Sequence, residues 1–227
     1  MMFLMSLKEY LFKYAGKYIK STLKMVIITT LIALVFGILL GALLFLTRKS
    51  KNKGIKIVNK VLDFLVGILR SFPFYILIFV LIPFTRIMTG IFTGRQNAMS
   101  IEGFIVPLTV AAIPFFGKII EGALIEVDDR VIEAAESLGL STFQIITRVV
   151  IREALPAIVS GITLAIITII GYSAMSGAVG ANSLGSFAYN YGMISYDTSA
   201  MLYAVVTIVI LVIVVQALGN FIYKLVK

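Results

Sequence analysis

The chain has no cysteine, no histidine and no tryptophan. Without cysteine there is no disulfide, no thiolate nucleophile and no thiolate-bound metal. Without histidine there is no Ser-His-Asp chemistry, and the commonest metal ligand is missing. Charge is also scarce. Of 227 residues, 14% are charged, against roughly 25% in a soluble domain. What is present instead is apolar: 60% of the residues are hydrophobic, which excludes a disordered chain. The net charge is +9. On so apolar a chain, that excess is expected to face an inner leaflet rather than nucleic acid. No catalytic residue and no metal site are expected, and the chain reads as no enzyme.

A helix crosses roughly 30 Å of hydrocarbon with about 20 apolar residues. Five stretches qualify, at about 25–47, 61–84, 101–120, 156–176 and 199–223. The expected fold is therefore an all-α polytopic membrane protein with five transmembrane helices. The first span is free of charge and holds Gly37-x-x-x-Gly41, a spacing that lets helices approach closely. The second contains Asp63, Arg70, Pro73 and Pro83. Its two charges are seven residues apart and share a helical face, and a break is expected near Pro73. Asp63 and Arg70 read either as a gate or as charges tying this span to its neighbours. The structural reading is preferred, because an unpaired charge in hydrocarbon is costly. The third span carries Pro107 and Pro114, and Lys118 near its end can snorkel to the interface.

Lys and Arg set the orientation. Arg48, Lys49, Lys51, Lys53, Lys56 and Lys60 form a basic loop after the first span, whereas the loop before the last span has neither residue. Five spans then place the N-terminus outside and the C-terminus in the cytoplasm. The inner side carries 12 Lys and Arg and the outer side 7. Five of the outer seven lie at Lys8, Lys13, Lys17, Lys20 and Lys24. Residues 1–20 place Leu7, Leu11, Tyr14, Ala15, Tyr18 and Ile19 at helical spacing, which reads as an amphipathic interfacial helix. A cytoplasmic N-terminus with four or six spans is the alternative. The spanning domain is taken as 21–227.

The polar stretch 121–155 carries more information. It is too charged to span, and it lies on the inner side. Its pattern gives a first short helix over about Asp129 to Leu138, with Gly139 suited to a left-handed helix end. Ser141-Thr142-Phe143-Gln144 then matches a capping box. Val131, Ala134, Ala135 and Leu138 are expected on one face of the first helix. A solvated loop with capped helices accounts for these residues equally well.

Glu133-Ala134-Ala135, three residues and then Gly139 resemble the EAA loop of ABC importer permeases. The family pattern ends nine residues later, here at Val149-Val150-Ile151-Arg152, with Arg152 where a proline is usual and Pro156 four residues on. Arg70-Ser71-Phe72-Pro73-Phe74, Ile82-Pro83-Phe84-Thr85-Arg86, Ile113-Pro114-Phe115-Phe116 and the run Gly171 to Gly180 resemble the methionine-type (D/L-methionine uptake) permeases. The resemblance covers about Ser21 to Phe221. It implies a cytoplasmic helical coupling loop, in which Glu133, Ala134, Ala135 and Gly139 contact a separate ATPase subunit. It also implies a homodimer in a bacterial cytoplasmic membrane, two ATP-binding cassette subunits and an extracytoplasmic substrate-binding lipoprotein. This chain has no Gly-x-x-x-x-Gly-Lys-Ser/Thr loop, so ATP and Mg belong on the partner ATPase and no cofactor on this chain.

The run Tyr172 to Gly180 reads either as a pathway or gate, led by Tyr172, or as tight packing. Met175 and Met193 suit a thioether substrate, and equally suit ordinary packing. A secondary carrier or channel is the alternative function. No inverted repeat, no chain of acids within the spans and no filter loop favours it. Nucleic-acid binding lacks an aromatic platform or a folded reader.

Overall fold

The longest uncharged run sets the first element. In the computed structural model, which describes residues 5–50 and 52–227, helix α1 runs over Leu7–Lys49. Ser6 starts it, its hydroxyl accepting from the Glu9 N–H at 3.2 Å, and a π-helical turn occupies Tyr10–Ala15. At 1.5 Å per residue, the uncharged stretch 25–47 covers about 35 Å and spans the hydrocarbon alone. The turns from Leu7 to Lys24 therefore project beyond it. This corrects the expectation of a separate interfacial helix. Residues 7–20 continue the first span, and their aromatic face meets protein rather than lipid headgroups. Tyr10 stacks on Tyr203 at 5.2 Å and shares a 2.7 Å hydrogen bond with Thr207, while Tyr14 and Tyr18 pack on Phe187. An amphipathic pattern fixes which face is apolar but not what covers it. Residues 1–4 of that segment, and Lys51 of the basic loop, lie outside the described residues.

The basic link is short. Asn52 caps α2 (Lys53–Ser71) by accepting from the Gly54 N–H at 2.8 Å. Lys53, Lys56 and Lys60 thus sit on the first turns of a helix rather than in a loop, and the span begins earlier than 61. The helix itself stops at Ser71, at the break expected near Pro73. Phe72 is extended, as a residue before proline prefers. The chain turns by 98° into α3 (Phe74–Val80). Helix α4 (Ile82–Thr93) follows, with Pro83 in its first turn, where no N–H is needed. Gly94 ends it in the left-handed conformation at φ 69°.

Ser100 caps α5 (Ile101–Ile125), the most buried helix, which passes through Pro107 and Pro114 without a break. After the short α6 (Asp129–Ser137), α7 runs over Thr142–Val179 and includes Pro156, so the helix starts well before the expected 156. A four-residue helix, α8 (Leu184–Phe187), continues as a π-helical turn to Ile194. Helix α9 (Thr198–Val226) closes the chain and is largely exposed.

Contacts fix the direction of each pass. Lys24 pairs with Glu102 at 2.6 Å, Gly41 lies against Gly117 and Ile120, and Arg48 reaches Glu121 at 3.7 Å. Helices α1 and α5 therefore run parallel. The bent unit α2–α4 must make one return pass between them, and five passes put the two chain ends on opposite sides. Where α1 crosses α5, a Cβ on Gly41 would stand 2.7 Å from the Gly117 carbonyl. The two glycines leave room for Ile120 and Leu40 to pack against the facing backbone.

Lys118 does not snorkel. Its ammonium lies between Asp63 of α2 and the buried carboxylate of Glu121, the latter at 2.5 Å. With Arg48, these charges tie α1, α2 and α5 together beside the exit to α6. Asn59 adds hydrogen bonds to the Leu44 carbonyl and Thr47 hydroxyl, each 2.9 Å.

Four stability outcomes are expected, read by thermal unfolding of the detergent-solubilised protein. Gly41→Val should cost about 1–3 kcal/mol by forcing the crossing apart. Gly16→Ala, whose methyl meets nothing within 4 Å, should hold or gain up to about 1 kcal/mol. Lys118→Met should cost on the order of 3 kcal/mol, because Glu121 stays buried with a weaker partner. Adding Glu121→Leu to Lys118→Met should recover most of that loss, since an apolar pair needs no counter-charge.

Candidate functional site

The polar elbow between α5 and α7 is built from local signals. Asp128 accepts from the Arg130 N–H at 2.9 Å and so starts α6. The Arg130 guanidinium closes on the same carboxylate at 2.9 Å and holds the Asp128 carboxyl below its ordinary range. Gly139, at φ 78°, turns the chain and donates to the Glu136 carbonyl at 2.9 Å. The capping box then forms. Ser141 N–H donates to Gln144 Oε1 at 2.9 Å, and Gln144 N–H donates back to the serine hydroxyl. Lys49 anchors the outer edge through Asp129 at 3.3 Å.

The two alanines diverge. Ala135 is buried with Val127, Ile145, Val150 and Ala154. Ala134 is exposed with Glu133 and Gly139. This corrects the expectation that both share the face of Val131 and Leu138. At about 100° per residue Ala135 lies about 40° from Val131 and about 60° from Ile132, so it is the edge of the stripe that turns inward, while Val131, Ala134 and Leu138 stay exposed. Leu138 is 81% exposed, and Phe143, which sequence reasoning did not single out, is 75% exposed. A large apolar pair at the tip of a charged elbow has no fold-level use. Its signal in the sequence was an apolar residue on each side of the Gly139-to-Ser141 turn.

A second arrangement lies in the middle of the bundle. Tyr172 of α7 stacks on Phe74 at 4.5 Å, and Phe74 sets its edge on Phe104 at 5.9 Å. Tyr172 and Phe74 also wall a cavity of about 450 Å³ with Arg70, Ser71, Phe115 and Thr168. Arg70 lies 5.7 Å from the Phe115 ring, and among the described residues no carboxylate lies within 4.0 Å of it. Asp63 and Arg70 therefore part company: the first is a structural tie to Lys118, the second faces a cavity. Met175 and Met193 are largely exposed and lie outside the lining of this cavity.

The glycine run after Tyr172 is packed tightly. Gly177 backs onto the Gly185 carbonyl, and Ser176 hydrogen-bonds Ser183, both buried. Leu184 N–H donates to Thr22 at 3.0 Å, locking α8 against α1.

Comparison with known proteins agrees with this architecture. Residues 33–227 match the family described as "Binding-protein-dependent transport system inner membrane component". The chain is 40% identical over 200 residues to the "Probable D-methionine transport system permease protein MetI" of Vibrio cholerae, covering 88% of this chain and 86% of that one. It is 41% identical over 184 residues to the "Methionine import system permease protein MetP" of Bacillus subtilis, covering 81% and 80%. Among solved structures it resembles a chain of the MetNI methionine ABC transporter in inward-facing conformations. The TM-score there is 0.88 at 36% identity, over 98% of this chain and 100% of that one. An all-α, multi-pass chain whose pattern matches this model over most of its length is thus placed: it belongs to the family of binding-protein-dependent transport system inner membrane components.

Proposed function

We propose that this chain is the membrane-spanning subunit of an ATP-driven importer for methionine. The observation that carries this reading is the exposed apolar tip of the elbow, Leu138 and Phe143, set beside Gly139 and flanked by acids. A rigid apolar knob on a charged arm suits a groove on a water-soluble motor subunit. Glu133, Ala134 and Gly139 lie on the same outward side. Ala135, packed inward, transmits rather than makes the contact. The names of the methionine-transport relatives, and the MetNI likeness, support the substrate and the motor.

The assembly consists of two copies of this chain, two ATPase subunits holding ATP and Mg, and an extracytoplasmic substrate-binding lipoprotein. ATP drives the cycle by binding one arrangement of the motor better than the other. Its closure pulls the elbows together. Each elbow is continuous with α7 and tied through Lys49 to α1, so the bundle rocks with it. Tyr172 and Phe74 form the constriction that opens. Arg70, left without a carboxylate, receives the carboxylate of the passing amino acid in the central cavity. Met175 and Met193 lie on exposed surface, and their part in the path depends on the second copy.

On this reading the N-terminus lies outside and the elbow inside. The absence of cysteine makes this directly testable. In intact cells, Lys8→Cys should react with a membrane-impermeant maleimide. Glu136→Cys should react only after permeabilisation, and the reverse pattern inverts the topology. Proteoliposomes of the full assembly should accumulate labelled methionine when ATP is supplied to the motor. Phe143→Asp and Leu138→Asp should each lower that uptake at least tenfold and release the ATPase on gel filtration. Retention of both uptake and association in the two variants overturns the coupling assignment.

A further inference from the structure

A second cavity, of about 260 Å³, lies at the end of the bundle opposite the elbow, beside the first turns of α5. Its polar lining consists of Thr85 and Arg86 of α4 and Gln96 and Asn97 of the following loop, set against Ile78 and Phe104. The loop is firmly held. Asn97 N–H donates to the Thr89 hydroxyl at 3.1 Å, Gln96 packs on Gly90, and Asn97 Oδ1 accepts from the Met99 N–H at 2.9 Å. That leaves the Asn97 amide nitrogen, the Gln96 amide and the Arg86 guanidinium as donors without partners among the described residues. The Thr85 hydroxyl, on a residue 97% buried, also has none.

The lining holds no acidic residue. The carboxylates near this end are already engaged: Glu9 with Lys13 at 3.6 Å, Glu102 with Lys24, and Asp197 as the cap of α9 and acceptor of the Met5 N–H. Arg86, Gln96 and Asn97 are exposed to solvent and their side-chain donors are unpaired among the described residues, so a carboxylate arriving from outside finds those donors free beside the buried Thr85 hydroxyl. A guanidinium fork matches a carboxylate in two parallel hydrogen bonds, and side-chain amides extend the same pattern. A volume just under the roughly 300–1,000 Å³ of drug-sized sites suits a small solute, and the apolar wall suits an uncharged side chain.

We propose that Arg86, Gln96, Asn97 and Thr85 form a receiving site for the carboxylate of an apolar amino acid. The solute occupies it before the central cavity. The proposal rests on the import reading above. It divides the path into two arginine stations, Arg86 and Arg70, with Phe104, Phe74 and Tyr172 as the partition between them. Phe104 walls the first cavity, and its edge contact with Phe74 joins it to the wall of the second.

The test uses the whole assembly in nanodiscs with ¹³C-methyl methionine labelling. Met99 lines this cavity and is one of nine methionines, assignable through Met99→Leu. Unlabelled L-methionine should shift the Met99 methyl signal saturably, and L-methioninamide, which lacks the carboxylate, should not. Arg86→Gln should weaken the response at least tenfold, and Arg86→Lys should restore part of it. Both variants must co-elute with the ATPase. Equal responses to methionine and its amide, or an undiminished response in Arg86→Gln, overturn the site. A Met99 response to the ligand-free binding protein alone assigns the carboxylate to that protein, and also overturns it. If the same assembly in proteoliposomes shows no ATP-driven methionine uptake, the substrate reading fails separately, and titration of the nanodiscs with alanine and leucine still decides whether Arg86 binds carboxylates.

Discussion

The architecture depends on the backbone contact between the first and third passes. In lipid, apolar side chains gain little by leaving hydrocarbon for one another, so association rests on close packing. Gly37, Gly41 and Gly117 remove the side chains that would hold α1 and α5 apart. The two helices then run side by side from Lys24 and Glu102 at one end to Arg48 and Glu121 at the other. Everything else is hung on α5. Its first turns wall the outer cavity, its middle walls the central one, and its last turns hold the charge cluster that leads into the elbow.

This arrangement explains why polar groups occur where they do. A buried carboxylate in a membrane bundle needs a counter-charge and hydrogen bonds. Glu121 has Lys118 and Arg48, and Lys118 in turn has Asp63. The cluster is a junction: it joins the three helices that leave for the elbow, the basic link and the bent second pass. The elbow itself meets α1 through the exposed pair Lys49 and Asp129 and leads into α7 as continuous helix.

How far this could be read from the sequence follows the range of each interaction. The elbow was legible nearly residue by residue. Asp128, Gly139 and the Ser141–Gln144 box act within four residues, and their chemistry is the same in any protein. The break at Pro73 was legible for the same reason, though its sharpness was not. Of the partners of Lys118, Glu121 lies one turn on and was within reach of helical spacing, but Asp63 lies 55 positions away and was not. The N-terminal amphipathic face was read as lipid-facing, since nothing local distinguishes a headgroup layer from the tyrosine-rich surface made by α8 and α9. The division of Ala134 from Ala135 was not legible, because i, i+3, i+4 and i+7 form one stripe and only the long-range packing on Val127, Val150 and Ala154 turns Ala135 inward. Of the outer cavity only Thr85 and Arg86 fell in a run the sequence singled out, and nothing local joined them to the loop donors or to the walls from three other segments.

Asp197 carries a consequence for biogenesis. One of its carboxylate oxygens caps α9, and the other takes the N–H of Met5, 192 positions earlier. The aromatic cluster of Tyr10, Phe187 and Tyr203 closes over the same place. Met5 and Tyr10 find Asp197 and Tyr203 only once α9 is in place, whereas Tyr14, Tyr18 and Thr22 are already met by α8. The two ends of the first helix are thus fastened by different segments, laid down at different times.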